Sequence, residues 1–117
     1  MPNQYKNIDK IAQLNDFLRG YILTATPVKD KIVITEGVSK LDKQIQKKVF
    51  QKVKNYKDFD EDNNRFGERD FGAFGVNGMD FFWKISYYDN NMKYHSEDKS
   101  DPEKTTRVLT IMRSEEW

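Results

Sequence analysis

The sequence predicts an α+β fold: a small, mainly antiparallel sheet with a central hairpin, and helices packed on one of its faces. Three observations predict it. Gly67 to Asp89 (GERDFGAFGVNGMDFFWKISYYD) is the longest strand-like run, and it turns on Asn77-Gly78, the strongest short hairpin signal in a sequence. Two stretches, Ile8 to about Tyr21 and Ser39 to about Tyr56, repeat apolar residues at three- and four-residue steps, the period of a helix lying on a core. A chain of 117 residues is sized for one domain, here 1–117, and can bury a core without staples.

The elements follow in order. Asn7 is placed to cap a first helix whose face is Ile8, Ile11, Leu14, Leu18 and Tyr21, widened by Phe17. Gly20 is a stop signal, and Pro27 forbids further helix and pushes Thr26 toward extended backbone. Lys31 to Thr35 (KIVIT) is short and β-branched, so it reads as a strand buried on at least one face. After Gly37 the second helix carries Leu41, Ile45, Val49, Val53 and Tyr56 as its core stripe. With Ile45 at zero on a wheel of about 100° per residue, Lys40, Lys43, Lys47, Lys54 and Lys57 fall on the far side, with Phe50 among them.

Asp58 to Asp70 (DFDEDNNRFGERD) is an acidic loop. Its alternating Asp58, Asp60, Asp62 and Asn64 imitate calcium ligands, but Asn63 stands where an EF-hand needs Gly and Arg69 where it needs a bidentate Glu. In the hairpin, Arg69 to Val76 pairs with Met79 to Tyr88. Alternation puts Met79, Phe81, Trp83, Ile85 and Tyr87 on the core face. Gly72 and Gly75 leave room for aromatics opposite, or mark a bulge. Asp89 to Lys99 is a polar connection. Ser100-Asp101-Pro102-Glu103 resembles a capped helix start, which favours a terminal helix, although Val108 to Met112 (VLTIM) would also pass as a strand.

Composition narrows the function classes. The chain has no cysteine, which excludes disulfides, zinc–thiolate sites and thiol nucleophiles and fits a reducing compartment. No run reaches the roughly 20 apolar residues that span a bilayer, and the N-terminus lacks a signal-peptide core, so a cytoplasmic protein without a membrane partner is expected. The sole histidine, His95, sits in a polar connection, so histidine-rich metal sites are excluded. No phosphate-binding loop or serine-nucleophile motif is present, and no cofactor is expected. Acidic residues are numerous enough that a carboxylate pair for acid–base work can be drawn on paper without specific support.

Charge is more informative. The net charge is +1, yet residues 1–57 carry 12 Lys/Arg against 5 Asp/Glu, while residues 58–117 carry 8 against 14. Such polarity lets the two halves attract each other, or presents two faces to different partners. The basic helix face with Phe50 is the leading binding candidate: lysines at this spacing can follow phosphates or meet an acidic protein, and an aromatic among them can stack or plug. A pI near 7.8 is low for a dedicated nucleic-acid module.

Five stretches carry a resemblance: Ala12 to Asp16 (AQLND), Thr35 to Val38 (TEGV), Gly67 to Gly72 (GERDFG), Trp83 to Asp89 (WKISYYD) and Arg107 to Glu116 (RVLTIMRSEE). The chain resembles a family of short bacterial proteins forming a domain of unknown function, with the signatures GEHDFG, WKIDYYD and RVLTIMLASEY. The family is similar to many genes of plasmids and prophages, often near anti-restriction genes. Arg69 stands where that family has His, and Ser86 where it has Asp. The resemblance implies a mobile-element role but names no activity; taken with the small size, the absent catalytic motifs and the charge polarity, it leads to the expectation of a small non-catalytic binding protein of a phage or mobile element. It would inhibit a host defence nucleoprotein, of anti-CRISPR or anti-restriction type, by occupying a charged surface. The partner-binding residues expected are Lys40, Lys43, Lys47, Phe50, Lys54 and Lys57. The alternatives are nucleic-acid binding through the basic helix 39–57, or a carboxylate-dependent hydrolase. The matched residues Glu68, Asp70, Tyr88, Asp89 and Arg107, with Tyr87, form a second candidate site, acidic and polar. A carboxylate–arginine network at the hairpin ends would equally account for them.

Overall fold

A computed structural model of the chain describes residues 2–24 and 29–117, with side chains from Asn7 onward. The expected break at Thr26 and Pro27 lies outside the described residues. The order is α1 (Pro2–Gly20), β1 (Lys31–Ile34), α2 (Glu36–Ser39), α3 (Lys43–Lys54), β2 (Phe71–Val76), β3 (Met79–Tyr88) and β4 (Thr106–Arg113), closed by a single 3₁₀ turn, Ser114–Glu116. The class is α+β, as the sequence predicts.

The sheet runs β1-β4-β3-β2. β2 pairs antiparallel with β3, from Phe71 opposite Lys84 to Val76 opposite Met79. The turn residues Asn77 and Gly78 both have positive φ, 52° and 79°, which is what a two-residue primed turn requires and why this dipeptide forms it. β3 pairs antiparallel with β4, and β1 lies parallel to β4, so the sheet is mixed. The hairpin is not at its centre: β3 is an inner strand, but β2 is an edge.

Alternation along β3 holds. Phe81, Trp83 and Ile85 are buried, and Met79 and Tyr87 pack against the same core. Cross-strand partners share a face, so Ile111 and Leu109 of β4 join them. Val38 of α2, Val49, Val53 and Tyr56 on and just after α3, and Leu18 and Ile22 from α1 and its exit complete one cluster. Gly72 is needed here: a Cβ on it would lie 2.7 Å from the Tyr56 ring and closer still to the Trp83 indole nitrogen. Gly75 has no such neighbour.

The C-terminal segment is strand β4, not the favoured helix. Its β-branched Thr106, Val108, Thr110 and Ile111 lose side-chain freedom in a helix, and the slot between β1 and β3 offers hydrogen bonds on both edges. The capping-box signal resolves as an Asx turn instead, with Asp101 accepting from the Glu103 N–H at 2.9 Å.

The second helix is also divided. Asp42 caps α3 by accepting from the Ile45 N–H at 2.9 Å, so the helix begins after it. Buried Gln46 then donates to the carbonyls of Val38, Ser39 and Leu41, tying off the end of α2. The start of α2 is held by Glu116, whose carboxylate accepts from the Gly37 N–H at 2.9 Å and from the Thr35 hydroxyl at 2.6 Å. The Thr35 bond, with those from the Arg113 and Gly37 amides, holds the Glu116 carboxyl below its ordinary range.

On α1 the buried face is rotated from the predicted one. The helix starts well before Asn7, so Asn7 is not its cap. Ile11 and Leu18 are buried, but so are Ala12, Asn15 and Arg19, whereas Phe17 is 68% exposed. Polar Asn15 and Arg19 belong to the packed side, which displaces the apolar stripe. β1 is a short outer strand. Ile32 packs on the core, while Val33 and Ile34 remain more than a third exposed.

Candidate functional site

Two surfaces answer to the sequence-derived candidates. The first is the lysine face of α3. Lys40, Lys43, Lys47, Lys54 and Lys57 are all exposed, as are Lys48 and Lys52, which the wheel centred on Ile45 left out. Lys40 pairs with Glu36 at 2.9 Å, and among the described residues no ion pair engages the other six. Lys43, Lys47, Lys48, Lys52 and Lys54 lie on α3 itself, whose 12 residues make a rod about 18 Å long, with Lys40 before it and Lys57 after it.

Phe50 does not stand among them as an exposed group. It is half-buried, packs against the core and lines a small hollow with Tyr21, Ile22, Ile32 and Ile34. The reason is the position of the buried arc. Gln46, Val49 and Val53 are the buried residues of α3. Their mean direction lies about 70° from Ile45, which brings Phe50 to the flank of the buried side. Gln46 hides this shift, because a glutamine does not signal burial.

Between α3 and the outer strand β2 runs a groove of about 720 Å³. Lys48 and Lys52 form one wall, Ala73, Phe74 and Gly75 the other, and Lys57 and Asp58 one end. The acidic loop continues from that end. Asp60 folds it by accepting from the amides of Asp62 and Asn63, at 2.8 and 3.0 Å. Among the described residues no group of carboxylates and histidine is gathered as a metal site.

The second candidate is split by the structure. Glu68 and Arg107 are linked through Asn15 and Lys99, and Asp70 lies near enough to feel the charge of Glu68; Tyr88 and Asp89 do not join them. Tyr88 is on the opposite sheet face, its ring stacked parallel to His95 at 6.3 Å. Asp89 closes a turn by accepting from the Lys93 N–H at 3.0 Å. Tyr87 is the residue that faces inward, as alternation demands.

Around Glu68 the polar groups form a closed network. Asn15 of α1 donates to the Glu68 carbonyl at 3.0 Å and to the Tyr87 hydroxyl at 2.8 Å. The Tyr87 hydroxyl donates to Glu68 Oε1 at 2.9 Å, and Lys99 Nζ to Oε2 at 2.7 Å. Arg107 Nε donates to Asn15 Oδ1 at 3.0 Å, and its Nη2 bonds the Lys99 carbonyl. Burial pushes the Tyr87 hydroxyl far above its ordinary pKa, and lowers that of Arg107. Asp70 is raised by burial and then by the neighbouring Glu68.

A second set begins at the next residue of α1. Asp16 accepts from Arg69 at 2.6 Å and from Arg19 at 2.9 Å. Arg19 also donates to the carbonyls of Val53 and Tyr56, at 2.9 and 3.1 Å, so it caps the end of α3 and lies over the Trp83 ring. Both Glu68 oxygens are therefore committed to internal donors, and the network welds α1 to the loop, β3 and β4. Asn15 and Lys99 were not singled out among the sequence candidates. Asn15 carried a weak signal, a polar residue inside an apolar helix stripe. Lys99 carried none.

A family model described as a protein of unknown function (DUF3768) matches residues 34–116. Neither the curated proteins nor the solved structures contain a match. The matched segment takes in β2, β3, β4, α2, α3 and the lysine groove, and leaves α1 and all of β1 but its last residue outside.

Proposed function

As the chain belongs to the DUF3768 family of proteins of unknown function, we propose that it is a non-catalytic binding protein of a bacterial phage or other mobile element. It acts in the host cytoplasm and inhibits a defence nucleoprotein of the CRISPR or restriction type by docking on an acidic surface. One observation carries the reading: six exposed lysines on and beside α3 that no carboxylate among the described residues neutralises. Charges fixed on a helix speed encounter with an opposite patch and exclude wrong partners, which is what a competitive inhibitor needs.

The same lysines favour a second reading, direct nucleic-acid binding by the basic helix 39–57. The acidic loop weighs against it. Asp58 closes the lysine groove, and Asp60, Glu61 and Asp62 follow it, all exposed. A continuous phosphate track would run into them, whereas a protein partner with a bounded acidic patch would not.

The test is a tagged pull-down from hosts with defined defence systems. A defence component is expected in the eluate, in amounts that fall as salt rises. The variant Lys47→Glu/Lys48→Glu/Lys52→Glu is expected to recover none. An eluate without any defence component from wild type sinks the reading. Equal recovery by the variant moves the site off α3.

A further inference from the structure

The groove beside α3 has a second property that its lysines do not explain. Its other wall is the outer edge of the sheet, and that edge is open except where the Tyr56 hydroxyl meets the Ala73 N–H. The Ile85 N–H donates to the Asp70 carbonyl at 2.8 Å, so Asp70, Gly72, Phe74 and Val76 turn their backbone groups inward to β3. Phe71, Ala73 and Gly75 therefore turn theirs outward. The Ala73 N–H confirms the direction, since it meets the Tyr56 hydroxyl at 3.3 Å from the groove side. Among the described residues no hydrogen bond takes up the outward groups of Phe71 and Gly75.

Soluble proteins usually blunt such an edge with charge, proline or a bulge. Here the strand reads Phe-Gly-Ala-Phe-Gly-Val over residues 71–76, without a charge or a proline, and its register with β3 is unbroken. Six residues give an edge about 20 Å long. The facing wall supplies Lys48 and Lys52, with Lys57 at the end against a single carboxylate, Asp58.

We propose that β2 receives an extended acidic segment of a partner protein as a fifth strand, held by the outward backbone groups of Phe71 and Gly75 and by the Ala73 carbonyl, the Ala73 N–H being engaged by the Tyr56 hydroxyl. Glutamate or aspartate side chains of that segment pair with Lys48, Lys52 and Lys57. Backbone bonds supply affinity and the lysines supply selection, as in other strand additions. The inference rests on the binding role proposed above and names the chemistry of the partner.

The probe is a capped peptide alternating glutamate and valine, followed by amide NMR on the full chain. Saturable shifts at Phe71, Ala73 and Gly75 are expected, together with Lys48 and Lys52. Gly75→Pro is the deciding variant. It removes one outward N–H without touching the ladder to β3, so the fold is kept. Loss of that bond and obstruction by the ring are expected to weaken the peptide by roughly tenfold or more. Lys48→Glu/Lys52→Glu is expected to abolish binding.

Peptide binding that ignores Gly75→Pro but fails in the lysine variant overturns strand addition and leaves the lysine docking reading intact. A single-stranded oligonucleotide that binds while the peptide does not overturns both. A concentration-dependent dimer lost in Gly75→Pro assigns the edge to a second copy of this chain and also overturns the proposal.

Discussion

Replacing Asn15 with leucine removes three hydrogen bonds while nearly conserving volume. Asn15 is fully buried, and its amide links the Glu68 carbonyl, the Tyr87 hydroxyl and Arg107 Nε. The Tyr87 hydroxyl keeps Glu68 as acceptor, so it is not orphaned. The Glu68 carbonyl loses the Asn15 bond, and the charged Arg107 loses one of its acceptors. Each such buried group left unmatched costs about 1–3 kcal/mol, and more where it is charged. The expected loss is about 4 kcal/mol, a large part of the roughly 5–15 kcal/mol that holds a domain folded. With a urea slope of about 1–3 kcal/mol per molar, the midpoint should fall by about 2 M at unchanged slope. Equilibrium urea unfolding followed by tryptophan fluorescence measures this, since Trp83 lies at the centre of the core. A Tyr87→Phe variant should lose only about 1–2 kcal/mol, because Glu68 retains Lys99. If Asn15→Leu unfolds within about 1 kcal/mol of wild type, the network is not the structural weld inferred from its geometry, and a functional role for Glu68 and Arg107 must be reopened.

Three further outcomes follow. Gly72→Ala should destabilise the fold by about 2 kcal/mol or more in the same assay, since its methyl group would overlap the Tyr56 and Trp83 rings. Phe50→Ala should cost about 2 kcal/mol of stability, as a half-buried core residue would; an unchanged melt with lost partner binding would restore it to the docking face. Asp70 makes stability depend on pH in a definite sense. Its folded pKa is raised, so its protonated form favours the fold; that contribution is complete below the unfolded value of about 3.9 and is lost as pH rises through the folded value. Asp70→Asn should therefore gain on wild type toward neutral pH and converge with it in acid, read from unfolding midpoints across pH. A constant difference would contradict the assignment.

What the sequence disclosed was local. The Asn77-Gly78 turn and the alternation from Met79 to Tyr87 fix the hairpin, because period and turn chemistry act over a few residues. The terminal strand was misjudged because Ser100 to Glu103 carries a genuine turn signal that does not lead into a helix. Whether VLTIM becomes strand is decided by β1 and β3 on either side of it, not within the segment. The same limit explains α1 and α3. Asn15, Arg19 and Gln46 are buried polar residues, and each rotates the packed face away from where apolar residues alone would place it. Their partners are remote: Asn15 meets Arg107 across 92 positions. No periodicity reports such a pairing. The exposed lysines were legible because solvent-facing charge follows directly from the wheel. Lys48 and Lys52 were missed only because the wheel was centred on Ile45 and the groove wall β2 was not yet placed.

The lysine face of α3, with the groove beside it, is the proposed inhibitory surface. The direct measurement is phage survival in hosts that each carry one defined restriction or CRISPR system, with the wild-type chain or Lys47→Glu/Lys48→Glu/Lys52→Glu expressed to equal levels. Wild type should protect phage in at least one host, and the variant, which changes only exposed side chains and should fold with wild-type stability, should not. Absence of protection in every host, or equal protection by the variant, would contradict that role.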